Sequence, residues 1–242
     1  MIKLIIKSNV SNNYIEYDYR EKKVNDIVIV LPGGGYNHTS IREGNIVKNK
    51  FLENNFHSGV FYYCEDNLKF PKKLEEMDYL INEINKDENI NNIYLCGFSA
   101  GGHLAGIYSA YYKHKIKKLI LCYPVVTSGV YRHKGSFLNL LDNEDDYKKV
   151  SLEKLVDKDF PEVFLWHTRD DQSVNIKNSL LLINSLVKNN IVFESHIYKT
   201  GKHGLSLGTK EVAFDNVDKS EFEKKYLYLT GWFDLAINFI KG

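Results

Sequence analysis

Two short stretches near the start, residues 2–7 and 14–20, alternate apolar and polar positions. A period of two marks a strand with one exposed face, so the pair predicts a hairpin. Further strands are expected at 26–31, 59–63, 92–96, 118–123, 162–167 and 192–198. Among these, runs such as KLILCY and EVFLWH are almost continuously apolar, as in a parallel sheet covered on both faces. Between the strands the period lengthens. Pro71 suits a first helical turn, and Leu74, Met77, Ile81 and Ile84 follow at helical spacing. Other helices are expected at about 44–54, 100–113, 175–188 and 220–240. A hairpin followed by repeated strand–helix units predicts one α/β domain over 1–242. Its form is a three-layer sandwich around a mostly parallel sheet of about eight strands. The least regular stretch, about 126–161, is expected to form a small cap between two late strands.

Composition narrows the function without naming it. The 242 residues are enough for one α/β domain with a sizeable core. A net charge of +1 argues against nucleic acid or an anionic membrane surface as partner. No apolar stretch is long enough to span a bilayer. At the start, Lys3 and Lys7 bracket a short apolar run without a cleavage-site pattern. That run reads as a strand rather than an export signal, and a cytoplasmic location is the default expectation. Cys64, Cys96 and Cys122 lie in apolar runs and are expected to be buried, reduced thiols.

The chemistry concentrates in LCGFSAGGHLAG, residues 95–106. Gly97-Phe98-Ser99-Ala100-Gly101 fits G-x-S-x-G, with a predicted strand before it and a helix after it. In a nucleophile elbow that turn raises a serine above the sheet and aims the next backbone N–H, here Ala100, at the reaction centre. The same glycines also fit simple relief of crowding where a helix crosses a strand. A serine hydroxyl needs a base and an orienting acid. The expected chain order is serine, acid, histidine, with the last two following late strands. Asp170 and Asp171 end the run EVFLWHTRDD, and either fits the acid or a helix-capping turn. His203, in the loop Gly201-Lys202-His203-Gly204, follows both serine and acid and is preferred as base over His167 and His196. Upstream, a strand ends in Pro32-Gly33-Gly34-Gly35-Tyr36. Consecutive glycines let backbone N–H groups approach a substrate oxyanion, so Gly34 or Gly35 is expected to act with Ala100. Pro32 stands where the HGGG-type loop of lipases and esterases has histidine.

LPGGGY, GFSAGGHLA, YPV (123–125), HKGS (133–136), LWHTRDDQSV and His203-Gly204 together resemble the α/β-hydrolase esterases, above all the bacterial acetyl-esterase and acetyl-xylan-esterase-like branch. The resemblance runs from about Val28 to Trp232. It implies the α/β-hydrolase fold, Ser99 as nucleophile, His203 as base, Asp171 as acid, and Gly34, Gly35 and Ala100 as oxyanion donors. Asp171 is chosen through an Asp-x-x-Val-Pro turn that here reads Asp171-Gln172-Ser173-Val174-Asn175, with asparagine in place of proline. His133 and Ser136 of the cap are expected to border the substrate.

The resulting expectation is a carboxylic ester hydrolase without metal or other cofactor. It acts through an acyl-serine on short, chiefly acetyl, esters of sugars or similar small alcohols. The cap stretch is short and charged, whereas a lipase wants a large apolar entrance. Tyr36, His38, Tyr123, Tyr131 and Arg132 suit a hydroxylated substrate, though such residues are also ordinary surface. A serine peptidase of the same fold is the first alternative, set back because 242 residues leave no room for an added substrate-selecting domain. A hydrolase-fold binding protein without chemistry is the second, set back because all three candidate triad members are present. Histidines and carboxylates show no metal-ligand spacing, which disfavours a metal-dependent deacetylase. A small-molecule ester is the expected partner, with no nucleic acid and no membrane. The apolar end, YLTGWFDLAINFI, is expected to pack as the last helix; the sequence leaves the oligomeric state open, with a homodimer contact through part of this helix as one alternative.

Overall fold

Alternate residues of the central strands enter two different cores, one on each face of a single sheet. In β3 (Asn25–Leu31), Ile27, Ile29 and Leu31 join one buried cluster while Val28 and Val30 join the other. The same split recurs in β5 (Ile90–Phe98), β6 (Lys118–Cys122) and β7 (Glu162–Thr168). Each fully buried Val, Leu or Ile contributes about 1.5–3 kcal/mol, so two-sided burial fixes these strands in the middle of the molecule. The computed structural model describes residues 2–242.

The outer strands are β1 (Ile2–Lys7), β2 (Tyr14–Tyr19), β4 (His57–Tyr62) and β8 (Phe193–Tyr198). The order across the eight-stranded sheet is β1-β2-β4-β3-β5-β6-β7-β8. β1 pairs antiparallel with β2, and β2 antiparallel with β4; all other neighbours are parallel. One face is covered by α2 (Lys72–Asn85), α3 (Ala100–Tyr111) and α6 (Lys177–Lys188). The other is covered by α1 (Asn45–Glu53), α7 (Lys219–Tyr226) and α8 (Trp232–Lys241). This is the α/β-hydrolase arrangement.

The stretch between β6 and β7 folds into α4 (Lys134–Leu140), a 3-10 turn (Glu144–Val150) and the single turn α5 (Leu152–Leu155). Phe137, Leu140, Val150 and Leu152 are buried against the α3 side of the sheet. The helix expected at 220–240 is two helices. A 3-10 turn (Leu227–Leu229) and Gly231, a poor helix former, separate α7 from α8. The break turns Trp232 inward, where its indole N–H donates to the Ser206 carbonyl at 3.0 Å. No helix among the described residues is long and apolar enough to cross a membrane.

Candidate active site

Six parallel strands, β3 to β8, end at the carboxyl edge of the sheet, where parallel α/β sheets collect ligands. Ser99 leaves β5 on a sharp turn, with φ 53° and ψ −116°, a sparsely populated backbone state. Its N–H donates to the Cys122 carbonyl at 3.0 Å, and its own carbonyl accepts from His103 and Val125 N–H, each at 3.1 Å. Gly101 is required by close approach: a Cβ there would overlap the Leu31 carbonyl oxygen at the end of β3. The turn buries Ser99 to 6% exposure.

The loop after β8 carries His203 back over that serine. His203 Nε2 lies 2.8 Å from Ser99 Oγ, and Nδ1 lies 2.6 Å from Asp171 Oδ2. A carboxylate only accepts, so Nδ1 carries the hydrogen and Nε2 receives the serine hydroxyl. Asp171 Oδ1 accepts from Ser173 and Val174 N–H at 2.8 and 2.9 Å, which aims Oδ2 at the imidazole. Burial alone raises the Asp171 pKa. Hydrogen bonds from His167 and His203, the electrostatic attraction of the His203 ring and the Val174 N–H outweigh it and hold the carboxyl far below the usual range.

The two aspartates separate cleanly. Asp170 accepts from Thr200 Oγ1 at 2.6 Å and Gly201 N–H at 2.7 Å, so it pins the root of the histidine loop rather than the histidine. His167 is fully buried and donates Nε2–H between Asp171 Oδ2, at 3.2 Å, and the Val174 carbonyl, at 3.0 Å. His196 stays in β8, bonded to Glu194 Oε1 at 2.6 Å.

Gly33, Gly34 and Gly35 form the facing loop. Gly33 N–H is taken by Glu43 Oε2 at 2.7 Å. The amides of Gly34, Gly35 and Ala100 have no acceptor among the described residues. Gly34 has φ 133°, and a Cβ there would overlap the His38 carbonyl oxygen, so no other residue fits. From the cap, Asn139 Nδ2 donates to the Gly35 carbonyl at 2.9 Å. Ser136 is fully buried, with Oγ 3.8 Å from where a Gly35 side chain would begin. His133 caps α4, accepting from Ser136 N–H at 3.3 Å. Its pKa is lowered, first by burial and then by electrostatic repulsion from the neighbouring His203 imidazole, with Asp171 opposing. His133 and Ser136 thus stand beside the two loops that flank Ser99.

Tyr36 corrects the expectation of a substrate contact. It is fully buried, and its hydroxyl donates to His103 Nδ1 at 2.6 Å. His103 in turn donates Nε2–H to the Val150 carbonyl at 2.7 Å. Burial lowers its pKa to about 4, so the ring is neutral and ties the glycine loop, α3 and the cap together. Tyr123 is likewise buried. Its hydroxyl donates to Glu43 Oε1 at 2.5 Å and accepts from Ser206 N–H at 3.0 Å, while its ring meets the His203 ring edge-on at 5.0 Å. Glu43 therefore links the glycine loop to the histidine loop. Sequence reasoning missed it, because a glutamate in the polar stretch HTSIREGN carries no local signal. Among the described residues, no group of three or more His, Cys, Asp or Glu is placed to hold a metal ion.

Known proteins resemble the chain in sequence and in fold. An endo-1,4-beta-xylanase B of Butyrivibrio fibrisolvens is 29% identical over 224 residues, which take in 82% of this chain and 35% of the relative. An acetylxylan esterase of Xylanibacter ruminicola is 26% identical over 203 residues, 75% of this chain and 41% of the relative. The chain thus spans well under half the length of these curated relatives. Among solved structures, an acetyl ester-xyloside bifunctional hydrolase from Caldicellulosiruptor lactoaceticus superposes with a TM-score of 0.81 at 28% identity, covering 96% of this chain and 89% of that one. The model of the prolyl oligopeptidase family matches residues 70–234, a span that holds the Ser99 turn, both aspartates and His203. On that match and this fold, the chain belongs to the prolyl oligopeptidase family of α/β hydrolases.

Proposed function

We propose that the protein is a carboxylic ester hydrolase that removes short acyl groups, acetyl foremost, from sugars or similar small alcohols. The observation that carries this reading is the hydrogen-bonded chain Ser99–His203–Asp171 facing the open amides of Gly34, Gly35 and Ala100. In the first half of the cycle, Ser99 Oγ attacks the ester carbonyl as His203 Nε2 takes its proton. Asp171 keeps the imidazole tautomer and stabilises the charged ring. The carbonyl oxygen becomes an oxyanion among the open amides, each worth about 3–4 kcal/mol to the transition state. The alcohol leaves with the proton from His203. Water, activated by the same Nε2, then attacks the acyl-serine and frees Ser99. No step calls for a metal or other cofactor.

The near-complete burial of Ser99, with Ser136 and Asn139 set against the Gly35 turn, supports a small acyl group. The names of the acetylxylan esterase and acetyl ester-xyloside hydrolase relatives support acetylated sugars. The family match favours one second reading, a serine peptidase using the same three residues. Turnover of p-nitrophenyl acetate, butyrate and octanoate, beside a prolyl p-nitroanilide peptide, tests both. The ester reading expects acetate to be preferred and Ser99→Ala to abolish it. Anilide cleavage without ester cleavage would put the peptidase first.

A further inference from the structure

The carboxyl edge of the sheet continues past Ser99 on the side away from His203. Beyond β5 come β3, β4 and β2. Because β2 runs antiparallel to β4, its first residue lies at the same edge as the end of β4, and the register pairs Tyr14 with Tyr62. Strands lie about 4.8 Å apart, so Tyr62 stands roughly 10 Å and Tyr14 roughly 15 Å from the strand that delivers Ser99. A surface cleft of about 370 Å³ opens there, against the outer side of the glycine loop.

Its wall is aromatic. The Tyr14 and Tyr62 rings stack at 4.7 Å with 21° between their planes. Asn45 Nδ2 donates to the Tyr62 hydroxyl at 3.1 Å and steadies that ring. The rim is polar and exposed, built from Asn37, His38, Asn45 and Glu65. No lysine or arginine lines the cleft, which argues against a phosphate or other anion. Few lining groups are aliphatic, which argues against an acyl chain. Aromatic rings beside amide, imidazole and carboxylate groups suit a neutral ligand with apolar C–H faces and a girdle of hydroxyls. The cleft also shares a turn with the reaction centre, since Asn37 N–H donates to the Gly34 carbonyl at 3.0 Å.

We propose that this cleft is a saccharide subsite. It holds a sugar unit of a glycan ester while a neighbouring unit of the same chain presents its acyl group to Ser99. The inference rests on the ester-hydrolase reading and extends it from a single sugar to a chain of sugars.

Two measurements test it. Ser99→Ala protein is titrated with unacetylated xylotetraose, cellotetraose and mannotetraose, and amide and tyrosine resonances are followed by NMR. Saturable shifts centred on Tyr14, Asn37, Asn45 and Tyr62 are expected with at least one of these probes. Separately, kcat/KM for acetylated xylo-oligosaccharide is divided by kcat/KM for p-nitrophenyl acetate. Tyr14→Ala is expected to lower that ratio about 10-fold, through KM, as loss of one aromatic contact would. Tyr14→Phe keeps the ring and restores the ratio. Glu65→Ala, an exposed change that spares the fold, lowers it about threefold through loss of one hydrogen-bonding group. No shifts with any tetrasaccharide, or a ratio equal to wild type in both Tyr14→Ala and Glu65→Ala, overturns the subsite. If wild type fails to cleave p-nitrophenyl acetate, the ester reading falls instead, and the titration alone decides the cleft.

Discussion

Replacing Glu43 tests whether the glycine and histidine loops are held by one buried carboxylate. Glu43 is 3% exposed and receives Gly33 N–H at 2.7 Å and the Tyr123 hydroxyl at 2.5 Å. Glu43→Ala leaves two buried donors unpaired, at about 1–3 kcal/mol each. A loss of about 2–6 kcal/mol is a large share of a domain's ~5–15 kcal/mol, so Glu43→Gln is the sharper variant. Its amide oxygen still serves Gly33, but its NH2 faces a Tyr123 oxygen that already accepts from Ser206 N–H at 3.0 Å. The tyrosine hydrogen then has no acceptor. One charge-assisted bond becomes neutral and one is lost, for a cost of ~2–3 kcal/mol. Gly33 directly precedes Gly34, and a displacement of about 1 Å at such a loop lowers turnover by up to ~100-fold. Urea unfolding at constant m reads the first effect, and kcat and KM on p-nitrophenyl acetate read the second. The expected result is a lower midpoint, kcat down 10- to 100-fold on this reasoning, and KM little changed. Wild-type stability and kcat in Glu43→Gln would refute the linkage; lost stability with wild-type kcat would leave Glu43 a structural group only.

Gly34→Ala must displace the His38 carbonyl and is expected to lower kcat at least ~100-fold. Gly35→Ala has its nearest neighbour at 3.8 Å and costs chiefly backbone strain from φ 64°, so steady-state kinetics of the pair should show Gly34 as the stricter position. Asp171→Asn is expected to lower kcat by ~10³–10⁴, whereas Asp170→Asn, which loosens only the loop root, should stay within about 10-fold of wild type. Comparable losses in both would contradict the assignment of the acid. His103 makes stability pH-dependent. Its folded value of about 4 lies below the ordinary 6.5, so the unfolded chain binds the proton first as pH falls. Its contribution is complete above about 6.5 and drains away down to about 4, a total of ~3 kcal/mol. Urea midpoints across that window should fall for wild type and flatten in His103→Gln.

Hydrophobic pattern made most of this molecule legible. The period-two hairpin and the continuous apolar runs placed all eight strands, because two-sided burial leaves little else such runs can do. The boundary of β5 was read short: it continues to Phe98, whose pairing with Cys122 carries the strand right up to Ser99. Chain order and glycine content singled out Ser99, His203 and the Gly33–Gly35 loop. They left Asp170 against Asp171 open, since two adjacent carboxylates differ only in where the turn points them. The buried polar links were invisible. Glu43 and Tyr123 are 80 residues apart and Tyr36 and His103 are 67 apart, so each alone looks like surface or core filling. Lys73 is a further link of this kind: it is fully buried, with its ammonium on the Tyr63 carbonyl at 2.5 Å.

The central claim is that catalysis passes through a covalent bond to Ser99. The direct measurement is mass spectrometry of protein mixed with p-nitrophenyl acetate, quenched in acid within the first turnover, then digested and sequenced. The account predicts one added acetyl group on the peptide that carries Ser99, located on that serine, and none in Ser99→Ala. Acetyl on another residue in place of Ser99, or steady hydrolysis with no acyl-enzyme and an active Ser99→Ala, would contradict it.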